Sequence, residues 1–357
     1  MKLTNLTRMP AAFTGGVDVS GRELLVVVVK GTFALPARGG PIRLHPEQSP
    51  LVVADTFTGE PGFSAPIAEA DFAPGKPRCD VLLTGSAHAP GGRATDRVPV
   101  ELSVGRWSKR FAVVGDRHWT RIGAELEPSR AQPFTRKPIS YDVAYGGSSA
   151  GDDGDAFAYP SNPVGAGYRP AGGATPRSAA LPNTEELDAP VRKPDGSYRP
   201  MAFGPIGRGW QPRAAFAGTY DARWRDETFP FLPEDFDSRY FQAAPADQQI
   251  DVGEQPLPIR LVNLTPDGLR EFELPSFRST ITIETRTGTR EAHEARLDTM
   301  AFEPDRERFS LVWRLSRPLR RNLFEIAEVI VGQPGSSWWR RRDALPFPIP
   351  VVAAEAG

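Results

Sequence analysis

Apolar residues in this chain come in short runs divided by glycine, proline and charge. Leu24 to Leu35 (LLVVVVKGTFAL) is rich in β-branched residues and ends at a proline, as a central strand does. Cys79 to Pro90 is apolar and then turn-like, and Val98 to Trp119 reads as a hairpin whose two apolar arms flank Gly105–Arg106. Ile139, Tyr141, Val143 and Tyr145 recur with a period of two, which predicts one face of a strand. Further strands are expected at Leu257 to Leu264, Ser279 to Thr289, Leu297 to Pro304 and Phe309 to Ser316. In Ser279 to Thr289, Thr280, Thr282 and Glu284 alternate with Ile281, Ile283 and Thr285, the pattern of a half-exposed strand. Leu323 to Gly332 suits either a short helix or a last strand.

Ser148 to Pro200 loses this periodicity and reads as a Gly/Pro-rich loop or insertion. It separates an N-terminal β lobe, 1–147, from a C-terminal lobe, 201–357, and 357 residues favour two domains over one core. With 34 glycines and 37 prolines, long helices are disfavoured. No repeat of solenoid or propeller period is present. The expected fold is mainly β: two antiparallel sandwich- or barrel-like lobes, joined by the long segment, with few short helices.

A formal net charge of −1 removes any global electrostatic case for nucleic acid or an anionic membrane. Cys79 is the only cysteine, so no intrachain disulfide can form, and a buried, inert thiol is its default. The longest apolar run, Leu24 to Val29, is far short of the roughly 20 residues that cross a bilayer. MKLTNLTRMPAAFTGG lacks the apolar core of a signal peptide, and the expectation is a cytoplasmic protein.

Sequence motifs for metal and nucleotide chemistry are weak. His45, His88, His118 and His293 are scattered, with no pair at zinc spacing. Asp152, Asp153 and Asp155 around Gly154 lack the spaced ligands and closing glutamate of a calcium loop. Gly165-Ala166-Gly167 lacks the third glycine of a dinucleotide fingerprint, and there is no phosphate loop or GxSxG elbow. No cofactor, metal or catalytic residue is assigned.

The densest chemistry lies in Gly218 to Pro245. Tyr220, Trp224, Phe229, Phe231, Phe236, Tyr240 and Phe241 share it with Asp221, Asp226, Glu227, Glu234, Asp235 and Asp237. Paired carboxylates beside rings could serve a carbohydrate-active hydrolase. Acids this close in sequence rarely converge across a substrate, however. The competing reading has them capping turns and pairing with Arg223, Arg225 and Arg239 while the rings fill a core. Near the end, Arg320–Arg321 and the run Trp338, Trp339, Arg340, Arg341, Arg342 combine charge with aromatic surface. As candidate contacts to a protein partner we take Trp210, Arg213, Trp224, Tyr240, Trp338, Trp339, Arg340 and Arg341, since tryptophan, tyrosine and arginine are favoured anchors.

An ordered set of motifs resembles one family, the domain of unknown function 2169, found beside bacterial type VI secretion genes. VVVVKGTF (Val26 to Phe33), KPRCDVLLTGSAHAPGG (Lys76 to Gly92), GDRHW (Gly115 to Trp119) and ISYDVAYGG (Ile139 to Gly147) carry its first half. NPVGAGY (Asn162 to Tyr168), LPNTE (Leu181 to Glu185) and GPIGRGWQPR (Gly204 to Arg213) follow. GTYDARW (Gly218 to Trp224), FLPEDFDSRYFQAAPADQQ (Phe231 to Gln249) and LVNLTPDG (Leu261 to Gly268) complete it. Tyr145 stands where the family favours phenylalanine, and the chain has none of the pentapeptide repeats that some relatives carry. The resemblance implies a nonenzymatic adaptor or chaperone that helps load a toxic effector onto the secretion spike, with the effector and VgrG or PAAR proteins as partners. A structural component of the injection machine is the alternative within that setting. No oligomeric state is implied.

Overall fold

The computed structural model describes residues 1–123, 125–149, 156–170, 179–253 and 256–343. The Asp152–Asp155 turn therefore lies outside the described residues. The fold is mainly β and is organised by two sheets. The larger one curls, and its main path runs Lys2–Asn5, Ile326–Val331, Ser279–Thr285, Arg290–Glu303, Arg308–Pro318, Glu23–Ala34 and Ala11–Val17. Cys79–Leu83 lies parallel to the second half of Arg290–Glu303, and Gln249–Ile250 pairs with Cys79–Leu83. The five-stranded sheet runs Thr184–Glu185, Trp107–Val114, Arg97–Val104, Leu257–Val262 and Leu269–Leu274.

Both sheets draw strands from 1–147 and from 201–357, and 148–200 supplies Thr184–Glu185. The boundaries expected at 147 and 200 are thus not boundaries between sheets. One core joins them: Val27, Val29, Leu311 and Trp313 from the larger sheet meet Val100, Leu102, Phe111 and Leu261 from the smaller. Phe203 bridges the layers, its ring centroid 4.7 Å from that of Phe111.

The valine run has a second buried face. Leu24, Val26 and Val28 pack with Val312 beneath Leu51 and Phe72. A strand covered on both sides has no polar face to show, hence its continuous apolar sequence. Its covered outer face also holds charge. Lys30 Nζ is 3.1 Å from Asp71, and Arg314 donates to Asp298 at 2.5 Å. Asp298 stands where the pairing of Arg290–Glu303 with Arg308–Pro318 shifts register, so a bulge presents its carboxylate to Arg314.

Two local expectations change. Ile139 to Tyr145 is not one strand: Arg136–Ile139 ends, Tyr141–Val143 forms a 3-10 turn, and Tyr145–Gly146 resumes extended pairing. The Asp142 carboxylate stabilises that turn by accepting from Ala65 N–H and the Thr58 hydroxyl. Ser279–Thr285 is not half-exposed either. Thr282 and Glu284 are buried, and Arg342 of the helix Ser336–Asp343 lies against Glu284. Leu323 to Gly332 resolves into a 3-10 turn, Leu323–Glu325, and the strand Ile326–Val331.

Candidate functional site

Trp210 and Arg213 lie inside the protein, at 7% and 3% exposure. The indole edge meets Tyr141 at 5.4 Å in the core. The Arg213 guanidinium donates to Tyr240 O and Ile206 O, and it pairs with Glu69 at 2.5 Å. Arg208 shares Glu69 and also binds Asp55 at 2.8 Å. This cluster fastens the segment before Gly218 to residues 55–69, and neither Trp210 nor Arg213 presents a surface. Tyr240 is half-buried; its ring packs with Phe236 and Phe241, beneath the Arg213 guanidinium.

Trp224 is placed differently. It is half-buried in a projecting turn, where its backbone N–H donates to Asp221 and its indole N–H to Phe231 O at 2.9 Å. Its ring meets Tyr220 edge-on at 4.7 Å and Phe229 at 5.7 Å. Around it, Tyr220, Phe229 and Phe231 are 52%, 66% and 47% exposed. Phe231 lies over Gly21, where an added Cβ would come within 3.2 Å of its ring. The result is a bonded Trp224 with Tyr220 and Phe229 packed edge-on against it and Phe231 beside them, the last three open to solvent.

Five of the six acids of the same segment have local partners, and Glu234 is exposed. Asp235 accepts from Thr219 N–H and hydroxyl, Asp237 binds Arg239 at 2.6 Å, Glu227 pairs with Arg223 and Asp226 with Arg225. The Thr219 bonds hold the Asp235 carboxyl below its ordinary range, and those from Arg239 do the same for Asp237. A general acid needs the opposite shift. None of the six carboxylates lines the cavity of about 790 Å³ beside Leu269–Leu274 or the smaller ones of about 460 and 260 Å³.

One Ser/His/Asp grouping escaped the sequence reading. Ser86 and His88 alternate on Gly85–His88, and Asp305 reaches both, accepting from Ser86 Oγ at 2.8 Å and lying 3.3 Å from His88 Nε2. The carboxylate stands between hydroxyl and imidazole, so the histidine is not bonded to the serine as a nucleophile's base must be. Among the described residues, no three His, Cys, Asp or Glu side chains gather as a metal site requires.

At the C-terminal end, Trp338 and Trp339 are half-buried, with centroids 4.9 Å apart. Arg290 lies 4.5 Å over Trp339, and Arg342 bridges Glu284 at 2.5 Å and Glu328 at 2.6 Å. Arg340 and Arg341 are exposed on the same helix. The basic-aromatic motif thus splits: the tryptophans and Arg342 dock the helix, and Arg340 and Arg341 face solvent.

The model of one bacterial family, described as "Uncharacterized protein conserved in bacteria (DUF2169)", matches residues 20–314. The chain belongs to this family. No curated protein and no solved structure matches it. Several of the DUF2169 motifs turn out to meet in space. Tyr145–Gly146 pairs in parallel with Ala166–Gly167, and Asn162 donates to Tyr141 O and Tyr145 O. Tyr145 is fully buried among Tyr159, Tyr168 and Tyr198, and its hydroxyl donates to Pro194 O and Gly196 O. A phenylalanine there would keep the ring contacts and leave both carbonyls without that donor. The DUF2169 match also spans the exposed rings at 220–231 and ends before the helix Ser336–Asp343.

Proposed function

We propose that this DUF2169 chain is a nonenzymatic, cytoplasmic adaptor that binds a type VI secretion effector and helps load it onto the VgrG or PAAR spike. The observation that carries the reading is the set of exposed rings Tyr220, Phe229 and Phe231 around Trp224, with Tyr220 and Phe229 packed edge-on against the bonded indole. Exposed aromatic rings suit recognition of an apolar surface on another protein, and the contacts of Tyr220 and Phe229 with Trp224 reduce the rotamer freedom they lose on binding. The local pairing of Asp221, Asp226, Glu227, Asp235 and Asp237 favours this over the hydrolase reading. Among the described residues no helix is long and apolar enough to cross a membrane.

Co-purification of the full chain with the effector and spike proteins encoded beside it tests the proposal. We expect a stable complex that weakens at least about tenfold in a Tyr220→Ala/Phe229→Ala variant, equivalent to about 1.4 kcal/mol. The reading fails if no effector is bound, or if effector stability and secretion are unchanged when the chain is deleted.

A further inference from the structure

Ala11–Val17 is the last strand of the larger sheet, and no strand pairs with its outer edge, although Lys2–Asn5 at the other end of the sheet comes near it. Ala11 stands opposite Val29 and Val17 opposite Glu23, with no register shift between. Lys30 N–H donates to Pro10 O at 2.9 Å and Asp18 N–H to Arg22 O at 3.0 Å, which fixes the phase of the ladder. Even-numbered residues turn their backbone groups toward Glu23–Ala34. Those of Ala11, Phe13, Gly15 and Val17 therefore point outward. Among the described residues, the only hydrogen bond to any of them is the weak one from Thr14's own hydroxyl to Gly15 O at 3.2 Å.

Sheet edges of this length are normally blunted by a charge, an internal proline, a bulge or a covering element. This edge, AAFTGGV, has no charge, proline or bulge, and all seven residues are half-buried or exposed. One end of it leads into the turn Asp18–Arg22, where the Phe231 ring lies on Gly21 and Val19 is exposed. The exposed Phe231 ring thus lies at the turn that ends this strand.

We propose that this edge receives an extended segment of the partner protein, which adds a strand to the sheet and lays apolar side chains along Val17, Val19 and Phe231. Outward donors and acceptors repeat every second residue, about 6.8 Å apart, the spacing of another polypeptide strand. The segment that fits is uncharged, about six to eight residues long, and alternately apolar. Rings at one end only give the surface a direction, which a two-fold pairing of two copies does not exploit. The partner's identity rests on the adaptor reading; the edge itself does not.

The test selects phage-displayed random 12-residue peptides on the full chain and measures the enriched peptide, synthesised, by fluorescence anisotropy. Val17→Pro removes only an outward N–H, so the internal ladder is kept. We expect at least about tenfold weaker binding to Val17→Pro and Phe231→Asp, no change for the distant Arg121→Ala, and slowed amide exchange at Ala11, Phe13, Gly15 and Val17 in the complex. Val17→Lys carries the same test if the proline variant does not fold. The proposal is overturned if no peptide is enriched, if binding ignores the edge variants, or if the chain is a dimer that Val17→Pro dissociates. Peptide binding without effector capture removes the adaptor reading and keeps the site; effector capture that survives both edge variants does the reverse.

Discussion

Glu284 and Glu328 stand directly opposite each other on adjacent strands, and both are buried. Two facing carboxylates repel. Arg342 from the C-terminal helix reaches both, at 2.5 and 2.6 Å, while Thr4 donates its hydroxyl to Glu328. Removing that guanidinium leaves two like charges facing each other with weaker compensation. We expect Arg342→Ala to cost about 1–3 kcal/mol in urea unfolding, and Glu328→Gln in the same chain to recover part of it. Additive losses would show that the pair is not coupled through Arg342.

Gly146 is fixed by contact as well as by its backbone. Its φ is 150°, and an added Cβ would stand 2.1 Å from the Asn162 carbonyl oxygen. Gly39 also has a positive φ, 69°, with nothing within 4 Å of the added atom. Gly146→Ala should therefore cost more than about 3 kcal/mol, and Gly39→Ala about 1–2 kcal/mol. Similar denaturation midpoints for the two variants would contradict the packing of the two family motifs.

Asp305 makes acid stability measurable. Burial pushes its carboxyl up, but the bonds from Arg136, Ser86 and His88 outweigh burial and hold it below the ordinary range. The folded value is then lower than the unfolded one. The contribution is complete above the unfolded value of about 3.9 and disappears as pH falls through the folded value. The stability gap between the protein and Asp305→Asn should narrow from about pH 5 downward. A gap independent of pH would sink this assignment.

Much of the architecture was legible because burial writes itself into sequence. Leu24 to Leu35 is a run because both its faces are covered, and the Val98 to Trp119 hairpin shows its turn at Gly105, whose φ is 61°. Ala11–Val17 was not legible: two glycines and two alanines carry no periodic signal, and its strand is defined by pairing with the valine run. The alternation from Ile139 to Tyr145 misled because the 3-10 turn Tyr141–Val143 buries Tyr141 in the main core while Tyr145, beyond it, is buried in a separate cluster. For the candidate site, residue type alone could not separate Arg213 from Arg340. One is bound to Glu69 in the interior and the other faces solvent, and only the folded neighbourhood distinguishes them.

Cys79 offers a direct probe of opening. It is buried, and burial, with Asp298 and Asp80 nearby, pushes its thiol well above the ordinary range. Thiolate is the reactive form. Alkylation should then proceed only as fast as the strand Cys79–Leu83 is released, rising with urea in step with unfolding. Modification of the native protein at the rate of a free thiol would show that this strand opens independently.

The pairing of Glu23–Ala34 with Arg308–Pro318 sets the order in which this protein can be made. Val28 lies opposite Arg314, so the ribosome releases the valine run long before its partner strand exists. During synthesis Leu24 to Val29 can pair with Ala11–Val17 on one side, but its other edge stays an uncharged, β-prone template of the kind that seeds aggregation between nascent chains. Fragments ending before Arg308 keep that hazard permanently. The second edge of the valine run is therefore covered only after Arg308–Pro318 has been translated.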